Sequence, residues 1–203
     1  MAHVVILGAG IGGLSAAYEM KQSLDKLGGG HSVTVVSNTE NFHFVPSNPW
    51  VAVGWRDREA ISIPLRPHLE RKGINVETSG AQTLHPERNA MTLADGKEVA
   101  YDYLLITTGP RLAFELVDGL GPDGHTQSVC HVDHAHEARH AFEEFCKDPG
   151  PIVVGAAPGA SCFGPAYEFA FILDAELRKR KIRDKVRPAT VPRSVSRSMG
   201  TAA

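Results

Sequence analysis

The first 36 residues narrow the fold more than any other stretch of the chain. His3–Leu7 (HVVIL) is an apolar run of the length of a short buried strand, and it leads straight into Gly8-Ala9-Gly10-Ile11-Gly12-Gly13. Apolar residues at helical spacing then predict a helix from about Leu14 to Leu27. Gly28-Gly29-Gly30 ends it, and Val33–Val36 (VTVV) is the next strand. Strand, glycine turn, helix and strand in that order make a βαβ unit. In such a turn Gly8 allows the sharp bend, Gly10 lets a pyrophosphate approach the backbone, and Gly13 lets helix and strand close up. The helix start adds free N–H groups and the positive end of a dipole. The pattern therefore points to a dinucleotide. The acidic residue that would grip an NAD ribose after the second strand is missing. Ser37 stands there, followed by Asn38, both weaker acceptors than a carboxylate.

Downstream, Arg71–Glu77 (RKGINVE) closes a helix and starts a third strand. Residues 91–110 predict a strand, an Asp95-Gly96 hairpin turn, a second strand and a buried strand at Tyr103–Ile106. DGLGPDGHTQS (118–128) has the composition of a linker, and a helix follows over about Asp133–Cys146. A second strand, turn and helix begin at residue 151 (PIVVGAAPGASCFGPAYEFA), with the strand at Pro151–Val154 and the helix running to about Lys185. This second turn keeps one glycine of the three. Ala157 and Ala160 put methyl groups where a pyrophosphate needs bare backbone, so NAD should bind poorly there. Cys162 falls at the helix start, where the dipole favours an anionic sulfur. Packing as a small buried residue is the alternative role for it.

The fold expected is α/β: a Rossmann-like dinucleotide domain, three-layered around a parallel sheet, over residues 1–115. The first βα unit of a second Rossmann-like domain follows over 116–187, and a disordered tail over 188–203. Charge divides the same way. Residues 1–177 hold 12 Lys and Arg against 22 Asp and Glu, whereas 178–203 hold 9 against 1. Without interleaved aromatics the RKRKIRDK run reads as the basic last turns of a helix, and no nucleic-acid partner is expected. Cys130, Cys146 and Cys162 are spaced by 16 residues with no CxxC, which excludes a zinc ribbon or a disulfide-stapled scaffold. His136 and His140 are i,i+4, a spacing that suits zinc, but no HExxH or CxxC accompanies them. They read as a polar face, and no metal site is expected. The N-terminus lacks a basic region before its apolar run, and no segment approaches a membrane span. A cytoplasmic or peripheral membrane location is expected.

Four stretches carry a resemblance: HVVILGAGIGGLSAAYEM, FVPSNPWVAVGW (44–55), YDYLLITTGP (101–110) and GASCFGPAYE (159–168). Together they resemble the sulfide:quinone oxidoreductases, flavoproteins of the two-dinucleotide-domain disulfide reductase superfamily. The first and third mark the superfamily, and the second and fourth are more specific. The resemblance implies FAD as cofactor, sulfide as electron donor and a membrane quinone as acceptor. Gly8, Ala9, Gly10, Gly12 and Gly13 would hold the FAD pyrophosphate, and Ser37 and Asn38 would face its ribose. Ser47 would lie near the flavin or phosphates, Ala81 would meet the adenine, and Thr108 and Gly109 would close over the cofactor. Cys162 matches an essential redox cysteine, Cys130 a further family cysteine, and His134 and Glu168 residues proposed to handle protons.

In that family the second βαβ unit continues beyond its helix. A later region carries the partner redox cysteine, the quinone pocket and the membrane-binding helices. Residues 188–203 do not resemble that continuation, so a truncated and impaired oxidoreductase is expected, with peripheral membrane contact only through the region beyond residue 203. Two other readings stand beside it: an NADH-dependent quinone or disulfide reductase, and a non-catalytic flavin-binding fragment.

Overall fold

The structure is a computed structural model that describes residues 1–157, 160 and 162–186. In chain order it forms β1 (His3–Leu7), α1 (Ile11–Leu27), β2 (Ser32–Val36), β3 (Asn41–His43), α2 (Asn48–Ala52), β4 (Ser62–Pro64) and α3 (Leu65–Glu70). Then come β5 (Asn75–Glu77), β6 (Ala81–His85), β7 (Ala90–Leu93), β8 (Glu98–Ala100), β9 (Tyr103–Ile106), α4 (Val132–Lys147) and α5 (Gly164–Lys179). They sort into two compact units. One takes residues 1–43 and 62–113; the other takes 44–61 and the described residues from Phe114 onward.

In the first unit four parallel strands are ordered β5-β2-β1-β9, the order of half a doubly wound sheet. The period-2 alternation of β1 and β2 decides what covers each face. Val4, Ile6, Val33 and Val35 point to one side and are buried with Leu65, Leu69 and the apolar face of α1. Val5, Leu7 and Val36 point to the other side, where Met91, Leu93 and Val99 of the antiparallel sheet β6-β7-β8 meet them. Helices, parallel sheet and small antiparallel sheet are the three layers that the sequence implied. The antiparallel pair β3-β4 and the strand β6 are additional to the strands read from the sequence.

β9 departs from expectation. It is an edge strand among the described residues, with Tyr103 65% and Ile106 56% exposed, not a buried one. It pairs with β1 over Val4–Leu7, and Leu104 packs into the core beneath.

The second unit is helical. Val51 and Ala52 of α2, together with Ile61, pack on Val132, Ala135 and Ala138 of α4. Val53 and Phe142 pack on Ile172, Leu173 and Leu177 of α5. Pro151–Val154 does not form the expected strand: only Ile152 makes a single bridge. A strand needs a neighbour to satisfy its backbone, and no further strand lies beside it among the described residues. The alternation nevertheless persists, with Ile152 and Val154 packed into the helical core and Val153 71% exposed. The expected linker 118–128 is also ordered. The His125 N–H donates to the Gly119 carbonyl at 2.7 Å, and the Gly121 N–H to Thr126 Oγ1 at 2.7 Å. α5 stops at Lys179 instead of continuing to Lys185, and a separate turn of 3-10 helix covers Arg183–Lys185. The tail 188–203 lies outside the described residues, as do Pro158, Gly159 and Ser161 of the second turn.

Three carboxylates of this unit sit below their ordinary values. The Arg180 guanidinium lowers Glu143, and Arg178 and then Arg183 lower Asp174. Burial pushes Glu176 up, but hydrogen bonds from Arg180 and Trp55 outweigh it and leave it lowered. Depressed carboxyls stabilise the fold fully above their unfolded values, and that stability is lost as pH falls through the folded ones. Helix content followed by circular dichroism should therefore resist heat well above pH 4.5 and progressively less below it. The Glu143→Gln variant should show a shallower pH slope.

Candidate functional site

The first unit builds its site where the sheet order reverses, at the C-terminal ends of β1 and its neighbours. Gly8 leaves β1 with φ +110°, and an added Cβ there would lie 2.4 Å from the Thr107 carbonyl oxygen. The turn is pinned from both sides. The Gly8 N–H donates to the Val36 carbonyl at 2.8 Å and the Thr107 N–H to the Leu7 carbonyl at 2.7 Å. The Thr107 hydroxyl lies 3.0 and 3.1 Å from the carbonyl oxygens of Leu7 and Gly8. Gly13 is the close-packing position: its Cβ would stand 1.9 Å from the Gly8 oxygen.

Gly10 and Gly12 are different. A Cβ at either would meet nothing within 4 Å. Gly10 caps α1 without a side-chain hydrogen bond, and the first turn of this 17-residue helix carries no acidic residue. The helix thus presents unclaimed N–H groups and a positive end to open space above bare backbone, which suits a pyrophosphate.

At the end of β2, Ser37 is buried. Its N–H donates to the Glu77 carbonyl at 2.8 Å, and its Oγ accepts from the Thr39 N–H at 3.1 Å. The serine shapes the turn that holds Asn38 out into solvent. Asn38 rests against Gly80, whose added Cβ would come 3.1 Å from Asn38 Cβ, and Ala81 follows at the start of β6. Thr108 and Gly109 are exposed just past β9, next to the pinning residue Thr107. The structure thus gathers Gly8, Ala9, Gly10, Gly12, Gly13, Ser37, Asn38, Ala81, Thr108 and Gly109 within one unit, on strand ends and the turns that follow them.

Ser47, Cys130, His134, Cys162 and Glu168 belong to the other unit. Ser47 is 5% exposed and directly precedes α2. Cys162 is exposed and free. It lies just outside α5, immediately before the capping residue Phe163, and not within the first helical turn. Cys130 holds the same position on α4, immediately before its cap His131. It too is exposed and free. The two helices have 16 residues each, and Arg180, just past the end of α5, bonds Glu143 near the end of α4. Phe169, early in α5, packs with the first half of α4, and Leu173 and Leu177 pack with Phe142 in its second half. Both thiols therefore lie at one end of the helix pair. Glu168 is exposed, one turn into α5.

His134 has its ring 5.5 Å from those of Phe114 and His131, and its Nδ1 is enclosed without a hydrogen-bond partner. Two features escaped sequence reading. Thr107 is one, and only its place one residue before Thr108-Gly109 could have suggested it. Asn48 is the other: fully buried, with both amide atoms unpartnered, although asparagine at a helix start ordinarily faces water.

Thiol exposure predicts an order of reactivity. Cys146 is half-buried, and burial pushes its thiol up. Iodoacetamide near neutral pH should label Cys130 and Cys162 well before Cys146, as peptide mass analysis of timed aliquots will show.

A family model described as pyridine nucleotide-disulphide oxidoreductase matches residues 2–161. The sulfide-quinone reductase of Aquifex aeolicus is 42% identical over 184 residues, covering 91% of this chain and 41% of that protein. The mitochondrial sulfide:quinone oxidoreductase of Dictyostelium discoideum is 30% identical over 197 residues, covering 91% of this chain and 40% of the relative. The chain thus spans about two fifths of the length of these relatives. The X-ray structure of the Aquifex aeolicus sulfide:quinone oxidoreductase superposes with a TM-score of 0.84 at 41% identity, over 92% of this chain and 42% of that one. A Plasmodium falciparum NDH2 structure in complex with NADH, 20% identical with a TM-score of 0.67 over 92% of this chain and 41% of that one, shares the fold. With its pinned glycine turn, three-layered α/β unit and matched residues 2–161, the chain belongs to the pyridine nucleotide-disulphide oxidoreductase family.

Proposed function

We propose that this chain serves an FAD-dependent oxidoreductase that moves electrons from sulfide to a quinone, with Cys162 as the sulfur nucleophile. The observation that carries the reading is the open, uncapped start of α1 over Gly10 and Gly12, in a chain 42% identical to a sulfide-quinone reductase. The glycine turn would hold the pyrophosphate, Ser37 and Asn38 the ribose, Ala81 the adenine, and Thr108-Gly109 the far side of the cofactor. Ser47, just before α2, would serve its flavin or phosphate portion. Bound FAD would supply a two-electron carrier between sulfur and quinone. Joining the Cys162 sulfur to sulfide sulfur is a two-electron oxidation, so the pair and the released protons would have to pass to the bound FAD and on to quinone; the exposure of Cys162 leaves its sulfur accessible for that bond. Cys130, at the same end of the helix pair, offers a second thiol for sulfur exchange. His134 and Glu168 handle protons near the two helix starts.

In membrane terms, no helix of the described residues is long and apolar enough to cross a bilayer. The proposed quinone would be met at a membrane surface.

The purified chain should show flavin absorption. Gly10→Val should keep its circular dichroism spectrum, because nothing lies within 4 Å of the Cβ it adds, yet lose the flavin. Gly13→Val is the contrasting variant: its clash with the Gly8 carbonyl should destabilise the fold by about 1–3 kcal/mol or more. Under anaerobic conditions sulfide should bleach the flavin, and Cys162→Ser should slow that bleaching strongly. Bleaching by NADH but not by sulfide would replace this reading with an NADH-dependent reductase.

A further inference from the structure

At the opposite end of the helix pair from Cys130 and Cys162, four side chains from three segments form one hydrogen-bonded chain. Trp55, in the loop after α2, donates its indole N–H to Glu176 Oε2 of α5 at 2.6 Å. The other oxygen of Glu176 accepts from Arg180 Nε at 2.8 Å. Arg180 then grips Glu143 of α4 with both terminal nitrogens, at 2.7 and 2.6 Å, in a fork that fixes direction as well as distance. The same guanidinium lies 5.1 Å above the Phe142 ring. Glu176 is 4% exposed, and its charge is held by Trp55 and Arg180, which supply donors to both oxygens, with the Lys179 ammonium 3.5 Å from Oε2.

Burying an ion pair of this kind contributes little net stability against an apolar replacement of equal volume. What it does supply is geometry. The apolar contacts of α4 and α5 can slide by a side-chain's width, whereas a bidentate Arg–carboxylate pair backed by an indole donor admits one register. Because Phe169 packs with the early residues of α4 and Arg180 bonds Glu143 near its end, a register set at Glu143 and Arg180 is carried along two helices of equal length to their starts, which Cys130 and Cys162 directly precede. Trp55 extends the same constraint to the 44–61 segment that begins α2 at Ser47 and Asn48.

We propose that Trp55, Glu176, Arg180 and Glu143 form a positioning clamp that sets the spacing of Cys130 and Cys162. Its value to catalysis rests on the thiol chemistry proposed above; its effect on spacing does not. None of the four is among the residues proposed above to bind cofactor or handle sulfur and protons. They act through the helices that carry the sulfurs.

Cross-linking reads that spacing directly. The test uses the full chain with Cys146 replaced by Ala, treated with bismaleimides of increasing spacer length, with the Cys130–Cys162 product quantified by peptide mass analysis. The parent should show a sharp optimum at one spacer. Trp55→Phe, which keeps the aromatic bulk and removes the donor, and Glu143→Gln, which keeps the shape and removes the charge, should each lower the yield at that optimum several-fold and spread product over other spacers. These measurements are made well below each variant's melting temperature, so a loss of stability alone leaves the spacer profile unmoved. Glu143→Asp, which restores the carboxylate, should recover part of the sharpness. A parent without an optimum, or variants with the parent's profile, would overturn the clamp. Altered profiles in a protein whose flavin ignores sulfide would instead retain the clamp and refute the functional reading.

Discussion

The first unit depends on one close approach, that of Gly13 in α1 to the carbonyl of Gly8 at the end of β1. A side chain at Gly13 would lie 1.9 Å from that oxygen, so the helix can start where it does only over bare backbone. Everything around the turn enforces the approach. Val36 holds Gly8 from one neighbouring strand and Thr107 from the other, so the peptide at the turn is fixed by hydrogen bonds from both sides before any ligand arrives. The preorganisation has a direction. With the lower side of the turn closed by packing, the upper side at Gly10 and Gly12 is left clear, and the helix dipole faces into it.

Much of this unit was legible because its signals are local. The glycine spacing, the alternation in β1 and β2 and the Asp95-Gly96 turn each specify a conformation within a few residues. The alternation even assigns faces, Val33 and Val35 to the helices and Val36 to the antiparallel sheet. Two strands were read less well for one reason. Tyr103–Ile106 and Pro151–Val154 are both apolar runs, and an apolar run states that a strand can be buried, not which neighbours will bury it. β9 finds β1 on one side only, and 151–154 finds no ladder at all. Partners distant in sequence decide both outcomes. The same limit hid the membership of 44–61, whose apolar residues Val51, Ala52 and Val53 pack with α4 and α5, some 80 to 125 residues away in the chain.

The candidate site divides along the same line. The glycines at 8, 10, 12 and 13 follow from a motif and its strand context, and the structure places them where β1 turns into α1. The thiols follow from no such motif. Sequence spacing places Cys130 and Cys162 on unrelated segments, and nothing in it says that two helices of equal length pack side by side. Thr107 and Asn48 are silent for a related reason: their roles come from the carbonyls they meet, or fail to meet, and not from their residue type.

The second unit also shows how charge is used when it serves geometry. The basic run at the end of α5 reads from sequence as a solvated helix terminus, and for Lys179 and Lys185 exposure fits that description. Three arginines of the run do otherwise. Arg178 and Arg183 converge on Asp174 at 2.6 and 2.5 Å, and Arg180 bridges Glu176 and Glu143. Lysine could neutralise the same carboxylates but could not hold two of them at fixed angles, because its single ammonium lacks the planar fork. Within RKRKIRDK, Arg180 ties α5 to α4 through Glu143 and Arg183 ties the following turn back to Asp174, while Arg178 bonds Asp174 within the helix and Lys179, although exposed, lies 3.5 Å from Glu176 Oε2.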